Sequence, residues 1–210
     1  TNVPGQIQMS ASKVVGPDPS SWKWFSYTWP EFYSALDIKA INDIVESQHY
    51  DIEPHSFAAR YNDGSIVKNI STVKMTSYSK LKTYLEPLMT YALYVGRRDI
   101  GYDLYDTYPN QDIFHNLYNS DSKDSYDWHT DASAQPTTDC KFTLLINLSE
   151  ENYTGGEFKY WPQSEEEYID ELTKPGTAFM FKSHIHHKVE PVTSGVRKSM
   201  SIFLHGPRFR

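Results

Sequence analysis

Two short segments of the chain carry side chains that could bind a metal ion. The first is Trp128-His129-Thr130-Asp131, in which an imidazole and a carboxylate stand two residues apart. In an extended strand, such residues point to the same face and lie about 6.6 Å apart along the chain, so both can converge on one ion. A single His-x-Asp is common by chance, and this pair alone is weak support for a metal site.

The second segment, 184–192, contains three histidines and is followed, after a glycine turn, by Arg197 and Ser199. Two β-rich runs around this turn predict a hairpin. One strand would supply a third metal ligand and the other would supply a cation. Two histidines and one carboxylate leave coordination positions open, which suits non-haem Fe(II) and oxygen chemistry, although zinc accepts the same ligands.

Arg197 indicates a particular cosubstrate. A 2-oxoglutarate molecule that chelates iron through its 1-carboxylate and 2-oxo group presents a distal carboxylate, which a planar guanidinium can bind with two hydrogen bonds. Ser199 stands two residues further along the same strand. It therefore shares a face with Arg197 and can add a hydroxyl donor.

Further motifs accompany these residues in a fixed order. Tyr118 precedes the His-x-Asp segment, and the runs 141–149, 153–158 and 175–183 follow it; His187 to Ser199 then reads H-x-V-x-P-V-x-x-G-x-R-x-S. On these motifs, residues 101–210 resemble the Fe(II)/2-oxoglutarate-dependent dioxygenase superfamily, and most closely its prolyl 4-hydroxylase-like branch. The helices before residue 100 match only loosely.

The resemblance implies a set of site residues and a reaction. The implied Fe(II) ligands are His129, Asp131 and His187. The implied 2-oxoglutarate residues are Arg197, Ser199 and Tyr118, and Asn147 lies on a strand from which family members also reach the cosubstrate. The implied enzyme is a hydroxylase that uses O2 to hydroxylate a prolyl or other amino-acid residue and releases succinate and CO2, with ascorbate as a possible further cofactor.

The choice of His187 over its neighbours depends on spacing. Ten residues separate His187 from Arg197, as the family pattern requires. His184 and His186 would point to the opposite face of an extended strand. We therefore expect these two histidines to be surface groups or hydrogen-bond partners near the site.

Two alternatives to a protein hydroxylase stay open. The same chemistry could act on a free amino acid or a small metabolite. A non-enzymatic, cupin-like module could instead use the same ligands to hold a metal, but it would give Arg197 and Ser199 no role.

Composition limits the partners and the compartment. A net charge of −7 disfavours nucleic acid, so we expect a protein, peptide or small-molecule substrate. The sequence contains no run of eighteen apolar residues, so it predicts no membrane-spanning helix. The single cysteine, Cys140, excludes an internal disulfide framework, and we expect a cytoplasmic protein. The oligomeric state is left open by these features.

The elements that must position the site are mostly strands. The aromatic content of 15% favours β structure. Short runs between turn signals predict strands at 24–29, 101–106, 111–118, 125–130, 141–148, 156–161, 176–182, 185–192 and 196–205. We predict an α+β, mainly β fold: a double-stranded β-helix, or jelly roll, buttressed by N-terminal helices.

Two helices are predicted before residue 100. Asp37 is the expected N-cap of the first, with Leu36 contacting Ile41. The second spans 79–95 and is expected to kink or restart at Pro87. We expect a single domain over 1–210, with an irregular arm (1–22), a helical support region (23–100) and a jelly-roll catalytic core (101–210).

Overall fold

The computed structural model describes residues 26–51, 71–132, 137–162 and 164–208. The helices are α1 (Ala35–Gln48) and α2 (Tyr78–Tyr94). The strands are β1 (Ser26–Trp29), β2 (Tyr50–Asp51), β3 (Thr72–Ser77), β4 (Asp112–Asn119), β5 (Tyr126–His129), β6 (Thr138–Asn147), β7 (Thr154–Gly155), β8 (Phe158–Trp161), β9 (Glu167–Tyr168), β10 (Ala178–Lys182), β11 (His186–Val189), β12 (Val192–Ser194) and β13 (Val196–Pro207). The predicted arm 1–22 lies outside the described residues.

Two antiparallel sheets form the body of the fold. The major sheet has the order β1-β10-β6-β13-β4-β3-β2, and the minor sheet has the order β5-β11-β8-β9, while β12 pairs with β7. Buried side chains of both sheets share one core, for example Leu145 of β6, Phe158 of β8 and Phe179 of β10. Together with the helices, this arrangement confirms the predicted mainly β jelly roll.

Strand β6 shows how the sheet separates two environments. Phe142, Leu144 and Ile146 belong to the cluster that packs against α1 and α2. Leu145 belongs to the other cluster, between the sheets. Alternation along a strand therefore gives one face to the helices and the other to the interior of the roll.

Helix α1 begins three residues earlier than predicted. Its N-cap is Ser34, and Asp37 is the N3 residue of a capping box in which Asp37 N donates to Ser34 Oγ and Ser34 N donates to Asp37 Oδ2. The prediction of Asp37 as N-cap is wrong because its carboxylate reaches back to the cap. The predicted Leu36 contact is also wrong, since Leu36 is 81% exposed.

Helix α2 occupies the predicted segment, shifted by one residue. Pro87 lies inside it without ending or restarting it. The predicted apolar stripe is buried, with Leu81, Leu85 and Leu88 at zero exposure. A π-helical turn, Val95–Asp99, follows directly. Within the described residues, no helix is long and apolar enough to cross a membrane.

The predicted strand at 101–106 is wrong. This segment is irregular, and the backbone carbonyl of Leu104 accepts hydrogen bonds from the guanidinium of Arg97 at 3.2 and 2.6 Å rather than from a neighbouring strand. The other predicted strands are present within a few residues, with positions 24 and 25 outside the described ranges. Strand β3 was not predicted from the sequence, because only Val73 and Met75 among its six residues are apolar.

The predicted hairpin of 185–192 with 196–205 is also wrong. Strand β11 pairs with β5 and β8 of the minor sheet, whereas β13 pairs with β4 and β6 of the major sheet. The chain between them crosses from one sheet to the other. This crossing allows His187 and Arg197 to approach one interior from opposite sheets.

Candidate active site

Three potential metal ligands meet at the end of β5. The ligand atoms of His129, Asp131 and His187 all lie within 4.8 Å of one another. Asp131 Oδ2 lies 3.3 Å from His187 Nε2, and Asp131 Oδ1 lies 3.7 Å from His129 Nε2. His129 and His187 are directly opposite residues of β5 and β11, so the ladder itself sets their spacing.

Backbone carbonyls fix the orientation of both imidazoles. His129 Nδ1 lies 2.7 Å from Asp127 O, and His187 Nδ1 lies 3.0 Å from Ile185 O. A carbonyl oxygen only accepts, so each Nδ1 carries a proton and donates it. The Nε2 atom of each ring therefore points towards Asp131, which is the orientation that metal-binding histidines require.

The charge states of the site favour a cation. Burial, together with the neighbouring His187, lowers the pKa of His129 to about 4, so His129 is neutral near pH 7. Burial would raise the pKa of Asp131, but His187, the Thr143 hydroxyl and His129 outweigh it and hold this pKa below its usual value. Thr143 Oγ1 donates to Asp131 Oδ2 at 2.7 Å. Two imidazole Nε2 atoms and one carboxylate thus face each other, and a divalent metal ion fits this donor set.

Arg197 lies buried in the interior of the roll. Only 2% of its surface is exposed, its Nη1 donates to Ser199 Oγ at 3.0 Å, and its Cζ lies 5.2 Å from the centre of the Tyr118 ring. In the part of the chain that the structure describes, Arg197 forms no ion pair with a carboxylate. Because an unpaired buried charge is costly, this guanidinium is suited to bind an anion.

Two neighbours shape the surroundings of Arg197. Tyr118 is its directly opposite residue on β4, and burial raises the pKa of the phenol, which stays neutral and able to donate. Gly156 has a φ of +68°, and a Cβ there would lie 2.8 Å from Arg197 Cδ. No sequence signal connects this glycine with Arg197, because the two residues are brought together only by the fold.

The side-chain amide of Asn147 makes its hydrogen bonds within the protein. Its Nδ2 donates to the carbonyls of Leu172 and Thr173 at 2.9 and 3.0 Å, and its Oδ1 accepts from Ser149 N at 2.9 Å. The side chain therefore anchors the 172–173 segment to β6. This use of the amide leaves little capacity for a cosubstrate.

The three neighbouring histidines separate as strand alternation predicts. His187 is buried, whereas His184 and His186 are exposed. Thr143, the donor to Asp131, was not found from the sequence because its partner lies twelve residues away and only the fold brings them together.

Comparisons with known proteins agree with this geometry. Residues 114–205 match the sequence model of the 2OG-Fe(II) oxygenase superfamily. This range includes both histidines, Asp131 and Arg197. The match covers the candidate site but less than half of the chain. It supports an oxygenase that uses Fe(II), 2-oxoglutarate and O2.

Solved structures share the fold of this oxygenase. A Pseudomonas putida prolyl-4-hydroxylase matches with a TM-score of 0.61 and 14% identity, over 88% of this chain and 93% of the other. A Trichoplax adhaerens prolyl hydroxylase, solved with a hypoxia inducible factor peptide fragment, matches with a TM-score of 0.63 and 15% identity, over 87% and 84%. SnoK, an alpha-ketoglutarate-dependent carbocyclase of nogalamycin biosynthesis, matches with a TM-score of 0.56 and 13% identity, over 86% and 79%. No curated protein sequence matches significantly. At these identities the structural likeness establishes the fold.

Proposed function

We propose that this oxygenase hydroxylates a prolyl or other amino-acid residue of a protein or peptide. In this proposal Fe(II) is held by His129, Asp131 and His187, and 2-oxoglutarate is held by Arg197, Ser199 and Tyr118. Succinate and CO2 are the coproducts. Bound Fe(II) supplies the redox chemistry, and the protein side chains orient the reactants and exclude water.

The observation that carries the proposal is the buried guanidinium of Arg197, which pairs with no carboxylate among the described residues, in the same fold interior as three converging side chains that could bind a metal. A carboxylate binds such a guanidinium with two charge-assisted hydrogen bonds. Ser199 Oγ already accepts from Nη1 at 3.0 Å and holds the guanidinium in place. A module that only stored a metal ion would gain nothing from burying Arg197, which argues against the cupin-like alternative.

An apolar wall supports an amino-acid side chain as the target. Phe203 lies directly opposite Thr143 in the β13–β6 ladder and therefore shares its face, beside the residue that donates to Asp131. Its ring meets that of Phe114 edge to face, with centroids 5.2 Å apart, and both rings are half-buried. A pyrrolidine ring or an aliphatic side chain could pack on this wall. The peptide bound by the Trichoplax relative gives further support.

An anaerobic titration tests the cofactor assignment. Addition of Fe(II) and then 2-oxoglutarate is expected to produce a weak visible charge-transfer band. The His129→Ala variant should lose it, while His184→Ala, an exposed histidine, should keep it. A wild-type protein that binds Fe(II) but gives no band would contradict the proposal.

A turnover assay tests the substrate class. Succinate release is measured with proline-containing peptides, other peptides, free amino acids and small metabolites, each at equal concentration. Substrate-dependent release with a peptide, and a mass gain of one oxygen atom in that peptide, are expected. Succinate release with only a free amino acid or a metabolite would contradict a peptide substrate and favour the small-molecule alternative.

A further inference from the structure

A buried polar cluster lies between α1 and the major sheet, on the face opposite the candidate site. We call it the Lys198 clamp; it consists of Asn42, His115, Ser149, Glu150 and Lys198. Asn42, His115 and Ser149 are at most 3% exposed. Apolar side chains such as Ile41 and Val45 pack on the same helix, while Glu150 and Lys198 reach the surface. Buried polar groups are costly unless they make hydrogen bonds.

The clamp begins where β13 loses β6, one of its two partner strands, while its pairing with β4 continues. The ladder between β13 and β6 ends at the pair Ser199 and Asn147, whereas β13 continues back to Val196. Beyond this pair, the Ser149 hydroxyl makes hydrogen bonds with the backbone of Lys198. Lys198 N donates to Ser149 Oγ at 3.0 Å, and Ser149 Oγ donates to Lys198 O at 3.3 Å. Leu148 N also donates to Lys198 O, at 2.9 Å.

A second layer connects this point to α1. Asn42 Nδ2 donates to Leu148 O at 3.0 Å and to Glu150 Oε1 at 2.8 Å, and Lys198 Nζ donates to the same Glu150 oxygen at 2.8 Å. His115 Nε2 lies 3.0 Å from Asn42 Oδ1 and holds the amide in this orientation. Helix α1 therefore positions residues 148–150, and Ser149 within this segment positions Lys198.

Lys198 stands between the two residues assigned to the cosubstrate. Successive side chains of a strand point to opposite faces, so Lys198 faces the clamp while Arg197 and Ser199 face the site. We infer that Ser149, supported by Asn42, is a positioning residue that holds the Arg197–Ser199 backbone in register for 2-oxoglutarate. The inference rests on the proposed function and assigns these residues a role in cosubstrate affinity without contact to the cosubstrate.

The test measures 2-oxoglutarate affinity in the Fe(II)-loaded protein under anaerobic conditions, by calorimetry. In Ser149→Ala the dissociation constant for 2-oxoglutarate should rise about tenfold, because two buried hydrogen bonds at Lys198 are lost. Fe(II) affinity should stay unchanged, and Ser149→Thr should restore most of the 2-oxoglutarate affinity. Ile41→Val, which removes one buried methyl group from the same face of α1, is the matched control for a general loss of stability and should bind 2-oxoglutarate like the wild type.

A second variant keeps the test decisive if Ser149→Ala does not fold. Asn42→Asp replaces the donating amide by a carboxylate that faces Glu150 and should weaken 2-oxoglutarate binding about threefold. Equal affinity in the wild type and the folded clamp variants, or an equal loss in Ile41→Val, would overturn the inference. Failure of the proposed function has a different signature, since the wild type itself would then not bind 2-oxoglutarate.

Discussion

The two faces of strand β6 differ in what occupies them, although their residues alternate along one short segment. Phe142, Leu144 and Ile146 face the helices and are fully buried among apolar side chains. On the other face, Thr143 donates to Asp131, and Asn147 holds a loop by its amide. The helix-facing side is a packing surface, and the interior side contains polar groups with specific partners.

The same division appears on the strands that carry the candidate site. His187 and Arg197 are buried and face the interior, whereas His186 and Lys198 face outwards or towards the clamp. The difference teaches that the residues of the candidate site lie on one face of each strand. Substitutions at neighbouring positions should therefore separate stability from chemistry.

The largest effect is expected at the three proposed metal ligands. His187→Ala removes one of the three ligands and should lower Fe(II) affinity by about 100-fold or more and abolish turnover, since even loss of a hydrogen-bond partner of a ligand costs 10–100-fold. The adjacent His186→Ala removes an exposed ring of the same type and should change neither. Fe(II) titration of both variants measures this. Equal losses would contradict the facial division.

Thr143 and Leu144 form the next pair. Leu144→Ala should lower the free energy of unfolding by about 2–5 kcal/mol, because it leaves a cavity against the helices, without changing Fe(II) affinity. Thr143→Val keeps the shape but removes the donor to Asp131, and should weaken Fe(II) binding about tenfold with little loss of stability. Denaturant unfolding and Fe(II) titration of both variants measure the separation. A loss of Fe(II) affinity in Leu144→Ala, with a loss of stability alone in Thr143→Val, would show that the two faces do not divide stability from metal binding.

The sequence singled out side chains that the fold brings together, but it did not predict the connections around them. The spacing of His187 and Arg197 depends only on positions along the chain, and strand alternation separated His187 from its two neighbours. The hairpin was wrong because pairing partners lie far away in sequence: β11 binds β5 and β8, and β13 binds β4 and β6. Local patterns contain no signal for such pairings.

Short-range predictions failed where a side chain replaced a backbone partner. Arg97 satisfies the Leu104 carbonyl and leaves 101–106 irregular. Asp37 reaches back to Ser34 and shifts the start of α1. The contacts of Thr143 with Asp131, of Gly156 with Arg197 and of Ser149 with Lys198 join residues that are distant in sequence, so only the fold reveals them. The single-domain organisation and the cytoplasmic location stay predictions.

A smaller effect is expected at the apolar wall. Phe203→Ala should raise the KM for whichever peptide or small molecule supports succinate release by about tenfold, because it removes the ring on which the target side chain packs. The dissociation constant for 2-oxoglutarate should not change. Ile202→Val, on the helix-facing side of β13, is the control for stability. An unchanged KM in Phe203→Ala would place the substrate elsewhere.

The smallest effect concerns pH and the helix-facing side. Burial lowers the pKa of His115 to about 4, below its value of 6.5 in the unfolded chain. Between these values the unfolded chain binds more protons than the folded one, so stability falls as pH falls. The His115 contribution should fall by about 1 kcal/mol between pH 7 and pH 5.5. Chemical denaturation of the wild type and His115→Gln at both pH values measures it; an equal pH dependence in both would contradict it.

The most direct test of the account compares 2-oxoglutarate with 2-oxobutanoate, which keeps the chelating 2-oxo acid but lacks the distal carboxylate. Dissociation constants for both are measured in the Fe(II)-loaded wild type and in Arg197→Ala, without oxygen. The wild type should prefer 2-oxoglutarate by about 30-fold or more, as expected for charge-assisted hydrogen bonds to a buried guanidinium, and Arg197→Ala should lose this preference. The same preference in both proteins would contradict the assignment of Arg197 to the distal carboxylate.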